Sequence, residues 1–428
     1  MTDRAGHPGR ALFCPILIAV ALHTGLAITV PPRFEVDSAI YKAQAEGLVA
    51  QGASLDPNGQ PETRVPPGFP LFLAAFLAAD LGYEGAIVAQ HLIWIALVAA
   101  VVWLVWRASG PARAAVTAGV ITALDLPGVQ SSMTVLSETV AAALVLAAAV
   151  CTVRSIRSTT ARSAVRWSIT AGGLAGTTAL VRPIAMFFGV PLAIAIVAAA
   201  DRRRRLAAAA ALLAASLVLP GLWTLRNARE SGVATMSSLG GINLLHYRAA
   251  GTLAIRDPGG IDANLLRRRE ELEQRACRQL EADYQRPCAS LSWAERSGQY
   301  AATALPVILG DPIATGRQAA RGLAMIVFGG GASLLSELTG IGERTARLVC
   351  LAYTVPLAML ALAGIPYWWR RDRALAWVVL LVIAYMFGMA MGAEAYSRFR
   401  VPVIALYAML CGGGVAWLRD AIASRRND

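Results

Sequence analysis

The chain of 428 residues is 56% hydrophobic and only 15% charged, whereas a soluble protein of that length would carry more charge on its domain surfaces. Its net charge of +12 would suit a nucleic-acid binder, but the arginines stand in short gaps between apolar runs. The basicity is therefore membrane topology, and nucleic acid is not an expected partner.

Several runs reach the roughly 20 residues that cross a bilayer as helix, which makes this a polytopic membrane protein. The first, in "MTDRAGHPGRALFCPILIAVALHTGLAITVPP", has a basic start, a long apolar core and no small-residue exit, the pattern of an uncleaved signal anchor. Spans are expected near 11–30, 86–106, 114–129, 134–153, 167–182, 184–200, 206–223, 346–366, 374–392 and 401–418. With the N-terminus inside, the basic gaps all fall in the cytoplasm. These are Arg107 and Arg113, then Arg154, Arg157, Arg162 and Arg166, then Asp201 to Arg205, Arg370 to Arg373, and the tail Arg419, Arg425 and Arg426. Both termini are then cytoplasmic, in a cell (inner) membrane, with anionic lipids as expected neighbours.

Two apolar pieces are left over, Gly68 to Ala79 and Gly322 to Leu335, short and flanked by Pro or Gly. Such pieces suit interfacial or re-entrant helices, and whether 322–335 crosses is open at this point. The expected organisation has three parts. Residues 1–223 form an N-terminal transmembrane module with its first outer loop at 31–85. Residues 224–345 form an extracytoplasmic loop with amphipathic helices, between spans seven and eight. Residues 346–428 form a C-terminal hairpin and last span.

Cys14, Cys151, Cys350 and Cys411 lie in or at the edges of spans and read as small buried residues. Cys277 and Cys288, eleven positions apart in the large outer loop, are expected to form a disulfide. His7, His23, His91 and His246 are too scattered for zinc, and His23 and His91 read as helix contacts. Trp293 and the pair Trp368–Trp369 read as interface-belt aromatics.

The first outer loop is the acidic part of the chain. Glu35, Asp37, Glu46, Asp56, Glu62, Asp80 and Glu84 face only Arg33, Lys42 and Arg64. The spacing of Ile40, Ala43, Gly47 and Leu48 predicts a short surface helix with Asp37 at or near its N-cap. "RVPPGFPLFLAAF" then predicts a proline-initiated apolar helix.

Five motifs in chain order resemble the GT-C superfamily of polytopic glycosyltransferases. Nearest are the dolichyl-phosphate-mannose protein mannosyltransferase-like group and its bacterial undecaprenyl-phosphate-sugar relatives. They are "DSAIYKAQAEGL" followed by "PPGFPLF"; "LDLPGVQSSMTVLSETV", in which Asp125 and Glu138 bracket the turn and Glu138 matches the family acid; "VRPIA" with Arg182; "PGLWTLRNARE…LGGINLLHY" with Arg226, Asn227 and Asn243; and "EAYSRFRVPV" with Glu394, Arg398 and Pro402. The resemblance implies a GT-C-like all-α bundle of about ten transmembrane helices, with interfacial helices in the first outer loop. It implies transfer of a sugar from a polyprenyl-phosphate donor to an envelope acceptor on the outer face, with inversion. It makes Asp37 the catalytic acid of that loop. Many members carry a second acid beside it, where this chain has Ser38.

The chemistry requires a base near the acceptor hydroxyl and cations near the phosphate. Asp37 is the candidate base. Arg226, Arg398 and Arg400, with Arg182 behind them, are candidates for the donor phosphate. Glu138 and Glu35 are candidates for the acceptor or a divalent metal (Mg or Mn), although a monophosphate donor requires none. Asn227, Asn243, His246, Tyr396 and Glu394 are supporting candidates. The plainer reading makes the arginines interface anchors and Glu394 the i,i+4 partner of Arg398. A transporter or flippase of an envelope precursor is the competing function, and a non-catalytic envelope scaffold a third; soluble-type hydrolase motifs are absent from the sequence.

Overall fold

The computed structural model describes residues 8–109 and 111–425; His7, Arg426 and the basic N-terminal start lie outside them. The described chain is helical, in the order α1 Pro8–Thr29, α2 Val36–Gln51, α3 Gly68–Ala78, α4 Gly82–Ser109, α5 Ala112–Ala123, α6 Leu126–Ser132, α7 Glu138–Arg157, α8 Ala161–Val181, α9 Gly189–Ala199 and α10 Arg205–Ser231. Then come α11 Leu239–Asn243, α12 Ala250–Ala254, α13 Gly260–Tyr284, α14 Trp293–Gly310, α15 Pro312–Phe328, α16 Ala332–Thr339, α17 Glu343–Arg371, α18 Arg373–Ala390 and α19 Ile404–Arg425.

Among the described residues eight segments are long and apolar enough to cross a membrane, or nine if α5 and α6, bent by 54° to each other, make one span. The sequence expectation of about ten also counted 167–182 and 184–200. In the structure α8 carries Arg162 and Arg166 near its start, and the apolar stretch Pro183–Ala199 is short. Both still pack within the bundle, α8 along α7 and α10, and α9 against α10 and α18. Pro312–Thr339 reaches span length. Gly322 lies against the Gly392 backbone, and Thr354 of α17 donates to the Phe328 carbonyl at 2.9 Å, so the segment packs on α17 and on the link after α18.

The bundle has two unlike ends. At one, Arg157 pairs with Asp372, Arg371 donates to the Ala108 carbonyl at 3.0 Å, and Arg204 donates to the Ser158 carbonyl at 2.5 Å. These join four of the basic gaps. The other end carries α2, α3, the α6–α7 link and the 239–310 module, and gathers the acidic residues of the first loop.

Helix α19 is the most buried span, with 83% of its apolar window inside the protein. It meets α17 through glycines: a Cβ on Gly364 would lie 1.9 Å from the Leu410 carbonyl oxygen. Without a hydrophobic drive inside lipid, such close backbone approach is what holds membrane helices together. Gly364→Val must push α17 and α19 apart and is expected to cost about 3 kcal/mol. A thermal melt in detergent that is unchanged from wild type would contradict that packing.

Trp368 is buried, and its indole donates to the Met409 carbonyl at 2.8 Å. It is thus a core residue rather than the belt aromatic expected from sequence. His23 and His91 face each other with Nδ1 atoms 2.8 Å apart, joining α1 to α4 as helix contacts.

Residues 239–310 pack around their own apolar cluster, which includes Leu245, Leu272, Leu280 and Tyr300. The predicted amphipathic helix from Ser292 is α14. Ser292 and Glu295 form its reciprocal cap, with Ser292 N donating to Glu295 at 2.6 Å and Glu295 N to the Ser292 hydroxyl at 3.3 Å. Cys277 and Cys288 are bonded, tying the link before α14 back onto α13.

Candidate active site

The site is assembled by a short extended pairing that joins two distant loops. Arg33 N donates to the Met133 carbonyl at 3.0 Å, and Val135 N donates to the Arg33 carbonyl at 2.9 Å. The start of α2 is thereby fixed beside the start of α7. Ser38 completes the seam, since its hydroxyl accepts from Glu35 N and donates to the Val135 carbonyl, both at 2.9 Å. The N-cap of α2 is Glu35, and Asp37 follows in the first turn. Ser38 is buried and fully used in this seam, a role that needs one donor and one acceptor and that a carboxylate would not fill.

Arg398 stands at the meeting point. Its Nη2 lies 2.8 Å from Asp37 Oδ2 and its Nη1 3.2 Å from Glu35 Oε2. Its Nε sits 3.1 Å from Glu138 Oε1, at ion-pair distance but without hydrogen-bond alignment. Arg182 reaches the same Glu138 oxygen at 2.5 Å and the Ser137 hydroxyl at 3.3 Å. Glu35 also accepts from Gln130 at 3.2 Å. Three carboxylates thus share two guanidiniums, leaving one negative charge in excess. Exposure grades across the cluster: the Asp37 side chain is 49% exposed, Arg398 15% and Glu138 1%. Glu138 Oε2 is buried and has no hydrogen-bond partner among the described residues.

Aromatic rings border the two arginines. Arg398 lies 5.0 Å from the Tyr396 ring centroid and Arg182 lies 5.8 Å from that of Phe399. Tyr41, whose hydroxyl is 3.3 Å from that of Ser137, has its pKa pushed up to about 12 by burial and therefore stays a neutral donor.

Of the residues singled out in the sequence, Asp37, Glu35, Glu138, Arg182, Arg398 and Tyr396 come together. The others do not. Arg400 is not placed to receive a phosphate, because its side chain is 2% exposed and both its Nη atoms are engaged. It pairs with Asp125 at 2.8 Å and donates to the carbonyls of Ile326, Val327 and Gly329 at 3.0–3.1 Å. Arg226 is likewise committed, to the carbonyls of Glu62 at 2.9 Å and Ser54 at 3.0 Å, and so braces the loop between α2 and α3. Asn227 donates to the Thr235 carbonyl, and Asn243 is exposed at the end of α11. Glu394 pairs with Arg248 at 3.4 Å instead of with Arg398, and burial raises its pKa.

His246 is buried in the 239–310 module, 3.3 Å from Glu273 and against Tyr300. Burial lowers its pKa below the ordinary 6.5, against the pull of Glu273. The unfolded module then binds more protons than the folded one below about pH 6.5, so stability falls as pH falls through that window. Protease nicking between α13 and α14 is expected to rise from about pH 7.5 to about pH 5.5. His246→Gln should flatten that dependence; an equal rise in the variant would assign it elsewhere.

Gln130, Ser137 and Tyr41 were not singled out in the sequence. Ser137, directly before Glu138 at a helix start, carries the readable signal of a cap residue. Here its hydroxyl serves Arg182 and Tyr41 instead.

The donor set does not suit a divalent ion at Glu138, whose one engaged oxygen is flanked by two guanidiniums. Among the described residues no group of three or more His, Cys, Asp or Glu is placed to hold a metal.

No family model matches the chain, and no curated protein does. Solved structures do. The chain superposes on the archaeal oligosaccharyltransferase AglB from Archaeoglobus fulgidus, in complex with an inhibitory peptide and a dolichol-phosphate. The TM-score is 0.55 at 15% identity, over 98% of this chain and 51% of that one. The Archaeoglobus fulgidus oligosaccharyltransferase in complex with Zn and sulfate gives 0.51 at 15% identity, over 96% and 51%. ArnT from Cupriavidus metallidurans bound to undecaprenyl phosphate aligns more distantly, at 0.43 and 15% identity over 94% and 78%. The chain spans about half the length of the oligosaccharyltransferases it matches. It is a multi-pass membrane protein with the GT-C fold.

Proposed function

We propose that the chain is a membrane glycosyltransferase that moves a sugar from a polyprenyl-phosphate donor to a cell-envelope acceptor. The observation that carries this reading is the convergence of Asp37, Glu35 and Glu138, from two separate loops, on Arg398 from a third. A partly exposed carboxylate and two guanidiniums at one end of a membrane bundle match what a lipid-phosphate sugar demands. The AglB complex with dolichol-phosphate supports a lipid-phosphate ligand for this fold.

In this reading the acidic end faces outward and the arginine-rich end faces the cytoplasm, following the positive-inside distribution. The donor's phosphate docks on Arg398 and Arg182, whose planar forks suit a phosphate and compensate the leaving group's charge. Asp37 accepts the acceptor hydroxyl's proton as that oxygen bonds to the anomeric carbon and the phosphate leaves. Attack opposite the leaving group inverts the anomeric centre, as the family resemblance implies. Glu138 Oε2 receives a second hydroxyl of the acceptor or sugar, and Glu35 shares Arg398 with Asp37 until the phosphate arrives. No metal step is required by this residue set. A transporter gains no support from the deep histidines, which are spent on one another.

The test is sugar transfer in membranes from a panel of synthetic polyprenyl-phosphate sugars. Transfer from one donor class names the sugar. Accumulation of a flipped but unreacted donor would favour the transporter.

A further inference from the structure

The acidic cluster is not the only built feature of the bundle. At the opposite end a cavity of about 630 Å³ opens between α4, α7, α18 and α19. Its deep wall is apolar, formed by Leu146, Ala149, Val150, Leu406 and Met409. Its rim is basic, formed by Arg107, Arg154, Arg157 and Arg371 with the single acid Asp372.

The rim charges are not cancelled. Asp372 is taken by Arg157. Arg371 spends only Nε, on the Ala108 carbonyl. Arg107 and Arg154 rest on the rings of Trp103 and Trp167, at 5.8 and 4.7 Å from the centroids, which leaves their N–H edges open. Arg107, Arg154 and Arg371 have no carboxylate partner among the described residues. The cavity is also deep. Leu146 precedes Arg157 by eleven residues on one helix, roughly 16 Å at the rise of an α-helix, close to half the hydrocarbon thickness of a bilayer.

We infer that this crevice binds an anionic glycerophospholipid of the adjacent leaflet, with its phosphate on Arg107, Arg154 and Arg371 and an acyl chain along the apolar wall. A free phosphate would need the rim alone and leaves the wall unexplained. A neutral lipid would need the wall alone and leaves three uncancelled guanidiniums. Anionic lipids concentrate at the membrane face where basic residues gather. The lipid would join four helices at the end remote from the acidic cluster, and its binding does not depend on the proposed transfer.

The test is native mass spectrometry of the full chain in detergent, titrated with phosphatidylglycerol, phosphatidylcholine, undecaprenyl phosphate or inorganic phosphate. Wild type is expected to retain one phosphatidylglycerol at least about tenfold more tightly than phosphatidylcholine. The combined Arg107→Gln, Arg154→Gln and Arg371→Gln variant should lose that preference. Val150→Trp, which fills the wall and keeps every arginine, should weaken retention by about tenfold. Should the triple variant not fold, Arg154→Gln alone, at an exposed position, is expected to lose a several-fold share. Unchanged phosphatidylglycerol binding in the Val150→Trp variant would overturn the crevice. So would displacement by inorganic phosphate, or retention of undecaprenyl phosphate without phosphatidylglycerol.

Discussion

Asp37→Asn is expected to lower sugar transfer by about 10²–10⁴-fold, the range supplied by a positioned general base. The change is nearly isosteric, and the Asn side-chain oxygen can still accept from Arg398 Nη2, now at 2.8 Å from Asp37. Only the proton acceptor is removed. The loss should therefore fall on kcat, with KM for the donor close to wild type. The variant should insert and melt like wild type, since the Asp37 side chain is half exposed and its partner Arg398 keeps Glu35 and Glu138. A drop in donor affinity with kcat preserved would make Asp37 a positioning residue for Arg398. Full activity would remove it from the chemistry.

Arg400→Met is expected to act on stability alone, and strongly. Arg400 and Asp125 form a pair whose side chains are 2% and 1% exposed, and Arg400 also satisfies three carbonyls where α15 ends. Removing the cation leaves Asp125 buried without its partner, at a cost of about 3–5 kcal/mol. Replacing both residues with apolar ones, Arg400→Met with Asp125→Leu, should recover part of that loss, as buried pairs commonly do. Recovery would be incomplete, because Asp125 also caps α6 by accepting from Gly128 N at 3.1 Å. Thermal melts of the single and double variants in one detergent measure this. A melting temperature unchanged by Arg400→Met would contradict the buried clamp and return Arg400 to the candidates for phosphate.

Arg398 and Arg400 show where the sequence could be read and where it could not. "RFR" before an apolar run marks two cations at a helix entrance, and both looked equally available. They lie on a 3-10 turn, Ser397–Val403, where residues two apart point in different directions. One meets the acidic cluster and the other the core. Which way each points depends on Asp37 and Asp125, more than 270 residues away in sequence, and no local pattern encodes that. Trp368 and Trp369 make the same point, since neighbours on a helix face about 100° apart and only one enters the core.

Most of the spans, the acidic first loop, α14 and the Cys277–Cys288 bond were legible, because each rests on local composition, periodicity or compartment. The pairing of Arg33 with residues 133–135 was not. It consists of two backbone hydrogen bonds between irregular segments, and any residue supplies those. Glu394 was misread for a related reason. Its i,i+4 spacing to Arg398 means something only within a continuous α-helix, and the chain there is a bend leading into the 3-10 turn. Arg248, from the 239–310 module, takes it instead.

The most direct test of the site is photo-affinity labelling with a polyprenyl phosphate that carries a photoreactive group next to the phosphate, followed by peptide mapping. Labels are expected in 33–41 and 394–400, displaced by unmodified polyprenyl phosphate and lost in an Arg398→Gln variant that remains folded. Labelling confined to the arginine-rich end, or unaffected by Arg398→Gln, would contradict the acidic cluster as the place where the lipid phosphate reacts.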